Sequence, residues 1–141
     1  MTQVAPLPGT GVNRLTGKPI AGWAHVIQSI HVIFSTRIGE RVMRRWFGSD
    51  VPAMLGRNLV PSTVLRFWTA VCMALELWEP RFKITKITPL GSDIEWREGK
   101  IGFKIDGIYY PRGHLGDFTP AGPQAFILGG TPELPTVNEI A

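Results

Sequence analysis

Between two prolines, Pro61 and Pro80, the apolar residues Val64, Leu65, Trp68, Val71, Cys72, Leu75 and Trp78 recur at i, i+4 and i+7 spacing. That period belongs to one face of an α-helix. Phe67, Ala70, Ala74 and Leu77 widen the stripe to most of the surface, which predicts a central helix covered on more than one side. Pro61 suits a first helical turn, where its missing N–H costs nothing. Pro80 ends the helix, because the residue before a proline is pushed out of the helical region. About 18 residues at 1.5 Å rise would span about 27 Å, most of the width of a small domain. The rest of the chain has to be arranged around this element.

The 141 residues are enough for one domain with a real core. Ahead of the long helix, Trp23, Val26, Ile27, Ile30 and Ile33 predict a helix over about Gly22 to Phe34. Two extended pieces around Thr16-Gly17, within Gly11 to Ile20, predict a small hairpin. Asp50 followed by Pro52 predicts a short helix ending near Gly56. After Pro80 the period drops to two: Phe82 and Ile84 alternate with Lys83 and Thr85, and Ile94 and Trp96 with Glu95 and Arg97. Ile101, Phe103 and Ile105 alternate again beyond a turn at Glu98-Gly99, so a hairpin is expected there. The fold class is α+β: two to three N-terminal helices packed on a small antiparallel sheet. Residues 1–10, with two prolines and few anchors, form a flexible N-terminal arm. Residues 11–110 form the folded domain. From Pro111, prolines and glycines leave no room for a regular element, and 111–141 is expected to be an extended arm. Phe118, Phe126, Ile127 and Leu128 suit it for ordering on a neighbouring subunit.

Several function classes are excluded on composition. No run of about 18 apolar residues exists, so no membrane span is expected. The start of the chain, Met1 to Thr10, lacks the basic and apolar regions of a secretory signal. One cysteine, Cys72, excludes an internal disulfide and a multi-cysteine metal site, and reads as a core residue. His25, His31 and His114 are too scattered for a metal cluster, and no phosphate loop or nucleophile elbow is present. The carboxylates Glu40 with Asp50, or Glu76 with Glu79, have nothing to hold them at a catalytic separation. The chain therefore reads as neither an enzyme nor a cofactor carrier. Net charge is +4, with Arg37, Arg41, Arg44 and Arg45 falling within nine residues. This stretch lacks the tyrosines that stack bases, so it reads as ion-pair donors to a protein neighbour rather than a nucleic-acid site.

The most informative local feature is Trp78-Glu79-Pro80-Arg81. Side chains two apart on extended chain point the same way, so Glu79 and Arg81 project together at a helix-to-strand corner. Two charges beside so apolar a helix need partners. One reading is an internal ion pair that caps the corner. The other is a charged pair presented to another protein, where the arginine fork matches carboxylates or carbonyls.

Gly39-Glu40-Arg41-Val42-Met43 with Phe47-Gly48-Ser49, then Ala74-Leu75 through Trp78-Glu79-Pro80-Arg81, resembles the phage baseplate wedge family often called baseplate protein W. That family includes the lysozyme-like wedge protein of large contractile phages and its type VI secretion counterpart. The resemblance covers about residues 11 to 106, and the tail from Pro111 falls outside it. It implies a structural component of a contractile tail baseplate, located in the virion and assembled in the host cytoplasm. Copies would repeat in a ring around the tail tube, joining wedge subunits and seeding sheath assembly. By this resemblance Glu79, Pro80 and Arg81 contact a helical bundle of larger wedge proteins, and Arg37, Glu40 and Arg41 are further interaction residues. Implied partners are those wedge proteins, the sheath protein and the tube or hub proteins, with no nucleic acid, membrane or cofactor. Two other readings are a peptidoglycan-cleaving, lysozyme-like enzyme and a regulatory adaptor that binds a host protein.

Overall fold

The computed structural model describes residues 9–54, 57, 60–98, 100–131 and 134–139. The chain opens with a two-stranded ladder, β1 (Gly11–Val12) against β2 (Pro19–Ile20), as the sequence predicts. Helix α1 (Gly22–Ser35) follows, then a loop, a single turn α2 (Val51–Met54) and the long helix α3 (Pro61–Trp78). Strand β3 (Phe82–Leu90) leads through a short helix α4 (Asp93–Arg97) to β4 (Ile101–Tyr109). A 3-10 turn at Gly113–Leu115 precedes β5 (Gly122–Thr131) and β6 (Leu134–Glu139). The last four strands make one antiparallel sheet in the order β3-β4-β5-β6.

Helices α1 and α3 cover one face of this sheet, and the α+β class holds. Val26, Ile30, Ile33 and Phe34 of α1 meet Val71, Ala74 and Leu75 of α3 over Phe82, Ile105, Tyr109, Phe126 and Leu128 of the sheet. Trp23 rests on Phe82 and Tyr109, with ring centroids 5.4 and 5.6 Å apart. Phe67 stacks on Phe103 at 5.0 Å. The alternation that places Phe103, Ile105 and Tyr109 inward is the period-two signal seen in the sequence.

Three expectations are corrected. First, the stretch beyond Pro111 does contain regular structure. Strand β5 pairs with β4 from Ile101↔Gly130 to Tyr109↔Gly122, and it buries Phe126 and Leu128 completely or nearly so. The 111–141 segment therefore completes this chain's own sheet through its described residues instead of waiting for a neighbour. The physical reason is that β4 is apolar on its inner face and needs a second partner there. Phe126 and Leu128 alternate with Ile127 in the register that supplies one. Pro123 sits near the strand's start, a position where the missing N–H does little harm. Second, residues 93–97 are a helix and not a strand of a hairpin. Ser92 accepts the Glu95 N–H while Glu95 accepts the Ser92 N–H, a capping box that starts α4. Trp96 then donates its indole N–H to the Leu90 carbonyl at 3.1 Å. Third, α3 is not covered on more than one side. Leu65, Met73 and Leu77 are 60%, 58% and 68% exposed, because the sheet and α1 occupy only one flank. The expected N-terminal arm falls mostly on residues outside those described, as does the expected end of the short helix at Gly56.

Candidate docking corner

The C-terminal end of α3 builds the corner. Glu79 leaves helical geometry (φ −127°, ψ 77°) while its N–H still reaches the Leu75 carbonyl at 2.9 Å. Pro80 forces the turn, and Phe82 N–H closes it on the Glu79 carbonyl at 3.2 Å. The side chains of Glu79 and Arg81 are then held together in a forked pair. Arg81 Nε donates to Glu79 Oε1 at 2.7 Å and Arg81 Nη2 donates to Oε2 at 3.0 Å. Glu79 is 2% exposed and Arg81 is 7% exposed. The third arm of the guanidinium, Nη1, donates to His25 Nδ1 at 2.9 Å. Because arginine can only donate, His25 must accept at Nδ1, so its neutral ring carries the proton on Nε2. Burial holds the His25 pKa below its ordinary value, and the neighbouring Arg81 charge pushes it further the same way. Burial likewise pushes the Tyr109 phenol up.

Backbone closes over the pair from two sides. A methyl group on Gly9 would lie 2.7 Å from Arg81 Nη1, and one on Gly11 would collide with the His25 ring. On the other side, Tyr110 N–H bonds the Arg81 carbonyl at 2.8 Å, and a methyl group on Gly113 would collide with the Pro80 carbonyl. Glycines are therefore required where the lead-in and the 3-10 turn press on the corner. Pro80 itself stays exposed. The internal ion-pair reading thus describes Glu79 and Arg81 within this chain, with Pro80 as the surface of the corner.

The loop between α1 and α2 carries the remaining candidate residues. Its ends are tied by Ser49 N–H to the Thr36 carbonyl at 2.9 Å and by an Arg37↔Ser49 bridge. Gly48 (φ +127°) lies so close that a methyl group would sit 2.5 Å from the Thr36 carbonyl oxygen. Buried Ser49 donates to the Ile33 carbonyl at 3.1 Å. Trp78 donates its indole N–H to the Gly48 carbonyl at 3.1 Å and packs on Phe47 at 5.0 Å, which anchors the loop one residue before Glu79. Within the loop Glu40 accepts the Arg37 N–H at 2.9 Å, and Arg41 lies 4.3 Å over the Phe47 ring. Glu40 is therefore a structural brace. Arg37 and Arg41 are exposed, and among the described residues neither bonds Glu79 or Arg81, so the loop and the corner are adjacent surfaces and not one cluster. Among the described residues no group of three or more metal-binding side chains assembles, and no helix is long and apolar enough to cross a membrane.

Sequence reasoning missed His25, Gly9, Gly11, Gly113 and Tyr109 as parts of the corner. Nothing in their spacing marks them, since they lie up to a hundred residues apart and meet only through the fold.

The arrangement has relatives. A family model described as "Baseplate wedge protein gp25" matches residues 21–110. Baseplate protein W of Escherichia phage P2 is 37% identical over 78 residues, 55% of this chain and 68% of that protein. A chain in the electron cryomicroscopy structure of the postcontracted pyocin R2 baseplate superposes with a TM-score of 0.61 at 26% identity, covering 71% of this chain and 97% of that one. The crystal structure of a putative tail lysozyme from Geobacter sulfurreducens gives a TM-score of 0.56 at 25% identity, covering 79% and 96%. The matched span runs from the start of α1 through β4, and so contains the arginine loop, the Glu79-Pro80-Arg81 corner and the strands behind it: this chain belongs to the baseplate wedge protein gp25 family.

Proposed function

We propose that this chain works as a docking subunit of a contractile tail baseplate, joining larger wedge proteins through the Pro80 corner without catalysing a reaction. As a family member it is a structural baseplate protein of the virion tail. The observation that carries the docking reading is the forked Glu79–Arg81 pair, buried and braced by His25 directly beneath an exposed proline. Burying two charges is costly, and a well-packed apolar pair would hold the fold at least as well. Such a pair is useful where it fixes the shape of a surface that another protein reads. Leu115 on the turn that presses on Pro80, 71% exposed, and Phe118 beyond that turn, 62% exposed and packed on Tyr110, add apolar surface on that side. Among the described residues, Glu79 is occupied by Arg81 and Glu40 by the Arg37 backbone, which takes one member out of each carboxylate pair and favours assembly over peptidoglycan cleavage.

The sheet edges support a second contact, with the sheath protein. Strand β3 carries a bulge between Ile84 and Lys86, with Lys83, Lys86 and Pro89 along it, all features that blunt an edge. The opposite edge of the sheet, among the described residues, is β6, and an added strand would pair there.

The test is co-assembly of the purified chain with the larger wedge proteins of its own tail, read by size-exclusion chromatography. Pro80→Asp should abolish co-elution, and circular dichroism and thermal unfolding of the variant check that the turn Pro80 sets has survived the change. Co-elution of this variant equal to wild type would remove the corner from the interface. Turnover of purified cell wall by the wild-type chain would instead establish the enzymatic reading.

A further inference from the structure

The loop between Thr36 and Ser49 has the features of a second, separately addressed interface. Four of its apolar side chains face solvent: Ile38 is 51% exposed, Val42 82%, Met43 88% and Trp46 67%. Exposure of this kind in a floppy segment would mean little. Here the loop is fixed by Gly48, Ser49 and Trp78, and by the Gly39 N–H bond to the Arg45 carbonyl at 2.7 Å. An apolar surface already held in one shape loses little freedom when it binds. Tryptophan, methionine and arginine are also the side chains that interface centres favour.

Charge identifies the occupant. Arg37, Arg44 and Arg45 are exposed, and none has a carboxylate within ion-pair distance among the described residues. The only acid of the loop, Glu40, is exposed and accepts the Arg37 backbone N–H. Building on the docking role proposed above, we infer that this loop seats on a protein surface of a neighbouring baseplate subunit that carries carboxylates around an apolar depression receiving Met43 and Trp46. A second copy of this chain does not fit that description. Of its described carboxylates, Glu79, Glu98, Asp106 and Asp117 are ion-paired and Glu40 and Glu95 accept backbone N–H groups; the exposed Asp50, Glu76 and Asp93 lie on three separate elements, just before α2, on α3 and on α4. Its net charge is also positive. Nucleic acid would use the arginines but gives no reason for exposed Val42 and Met43 beside them.

The experiment uses the full chain and the purified larger wedge proteins of its own tail, with affinity measured by biolayer interferometry at low and high salt. Wild-type affinity falls with salt, as charge attraction across an exposed rim requires. Arg44→Glu with Arg45→Glu lowers the low-salt affinity by roughly tenfold or more and flattens the salt dependence. Arg44→Lys with Arg45→Lys keeps most of it. Trp46→Ala lowers affinity by roughly tenfold at both salt levels. A photo-crosslinking residue in place of Met43 captures a wedge-protein peptide rich in Asp and Glu. All these positions are exposed, so circular dichroism should show an unchanged fold. Loop variants that bind like wild type while Pro80→Asp fails would overturn the loop inference alone. Crosslinking to a second copy of this chain, or loss of duplex-DNA binding as the only defect of the arginine variants, would also overturn it. A wild-type chain that joins no wedge protein would overturn both the loop and the corner.

Discussion

Replacing Glu79 by alanine removes both acceptors of the Arg81 fork and leaves a guanidinium 7% exposed with only His25 Nδ1 to receive it. Breaking a buried pair by deleting one partner costs about 3–5 kcal/mol, because the remaining charge stays in a poorly solvated place. Unfolding entropy near 60 °C is about 2.1 cal/mol/K per residue, hence about 0.3 kcal/mol/K for a chain of 141 residues. The expected drop in Tm is therefore about 10–17 °C. Thermal unfolding followed by circular dichroism reads it directly, with urea unfolding to give the free energy. The companion variant, Glu79→Leu with Arg81→Met, removes both charges together and should recover most of the loss. The two single substitutions should therefore be strongly non-additive in a double-mutant cycle. A Glu79→Ala protein melting within about 2 °C of wild type, or strictly additive single effects, would refute the view that the corner is held by an obligatory buried pair. The prediction also separates stability from docking: the double apolar variant is a folded chain that lacks the charged brace. If it still captures wedge proteins as wild type does, Pro80 and its neighbours suffice for recognition.

Other predictions follow from the same geometry. The folded His25 pKa lies below its ordinary value of 6.5, so the unfolded chain binds the proton more readily and stability is full above that value. Stability falls as pH drops through 6.5 toward the lowered folded value. His31 shifts the same way, so the comparison with His25→Gln isolates the corner: that variant should show a shallower loss of urea midpoint, and an identical slope would exclude His25 as a source. Phe126→Ala, at a side chain with no exposure, should cost about 3–5 kcal/mol in urea unfolding. A cost below about 1 kcal/mol would mean that β5 does not complete the core. Gly113→Ala forces a methyl group into the Pro80 carbonyl and should cost about 1–3 kcal/mol by the same assay, whereas unchanged stability would show that the turn is not pressed onto the corner.

Periodicity along the chain determined the elements that bury one strong stripe or one alternating face. The limits of α3, set by Pro61 and Pro80, and the helix after Gly22 are local properties of the chain, as is the small hairpin around Thr16-Gly17. The Glu79–Arg81 pairing was legible too, since two residues either side of a proline on extended chain must point together. Helix α4 was written locally as well, in the Ser92 to Glu95 capping box, although the alternation of Ile94 and Trp96 masked it. Tertiary structure alone decided the rest. A Pro- and Gly-rich stretch becomes the third strand of the sheet because β4 offers an apolar face and a ladder of unpaired backbone groups. No property of residues 122–131 in isolation contains that offer. The apolar stripe of α3 likewise cannot reveal which of its faces a partner will cover, so Leu65, Met73 and Leu77 remain exposed in this chain. His25, Gly11 and Gly113 become parts of one corner only when α1, the lead-in and the 3-10 turn converge on Arg81. Sequence spacing carries local geometry, while convergence of distant segments depends on how complete faces pack.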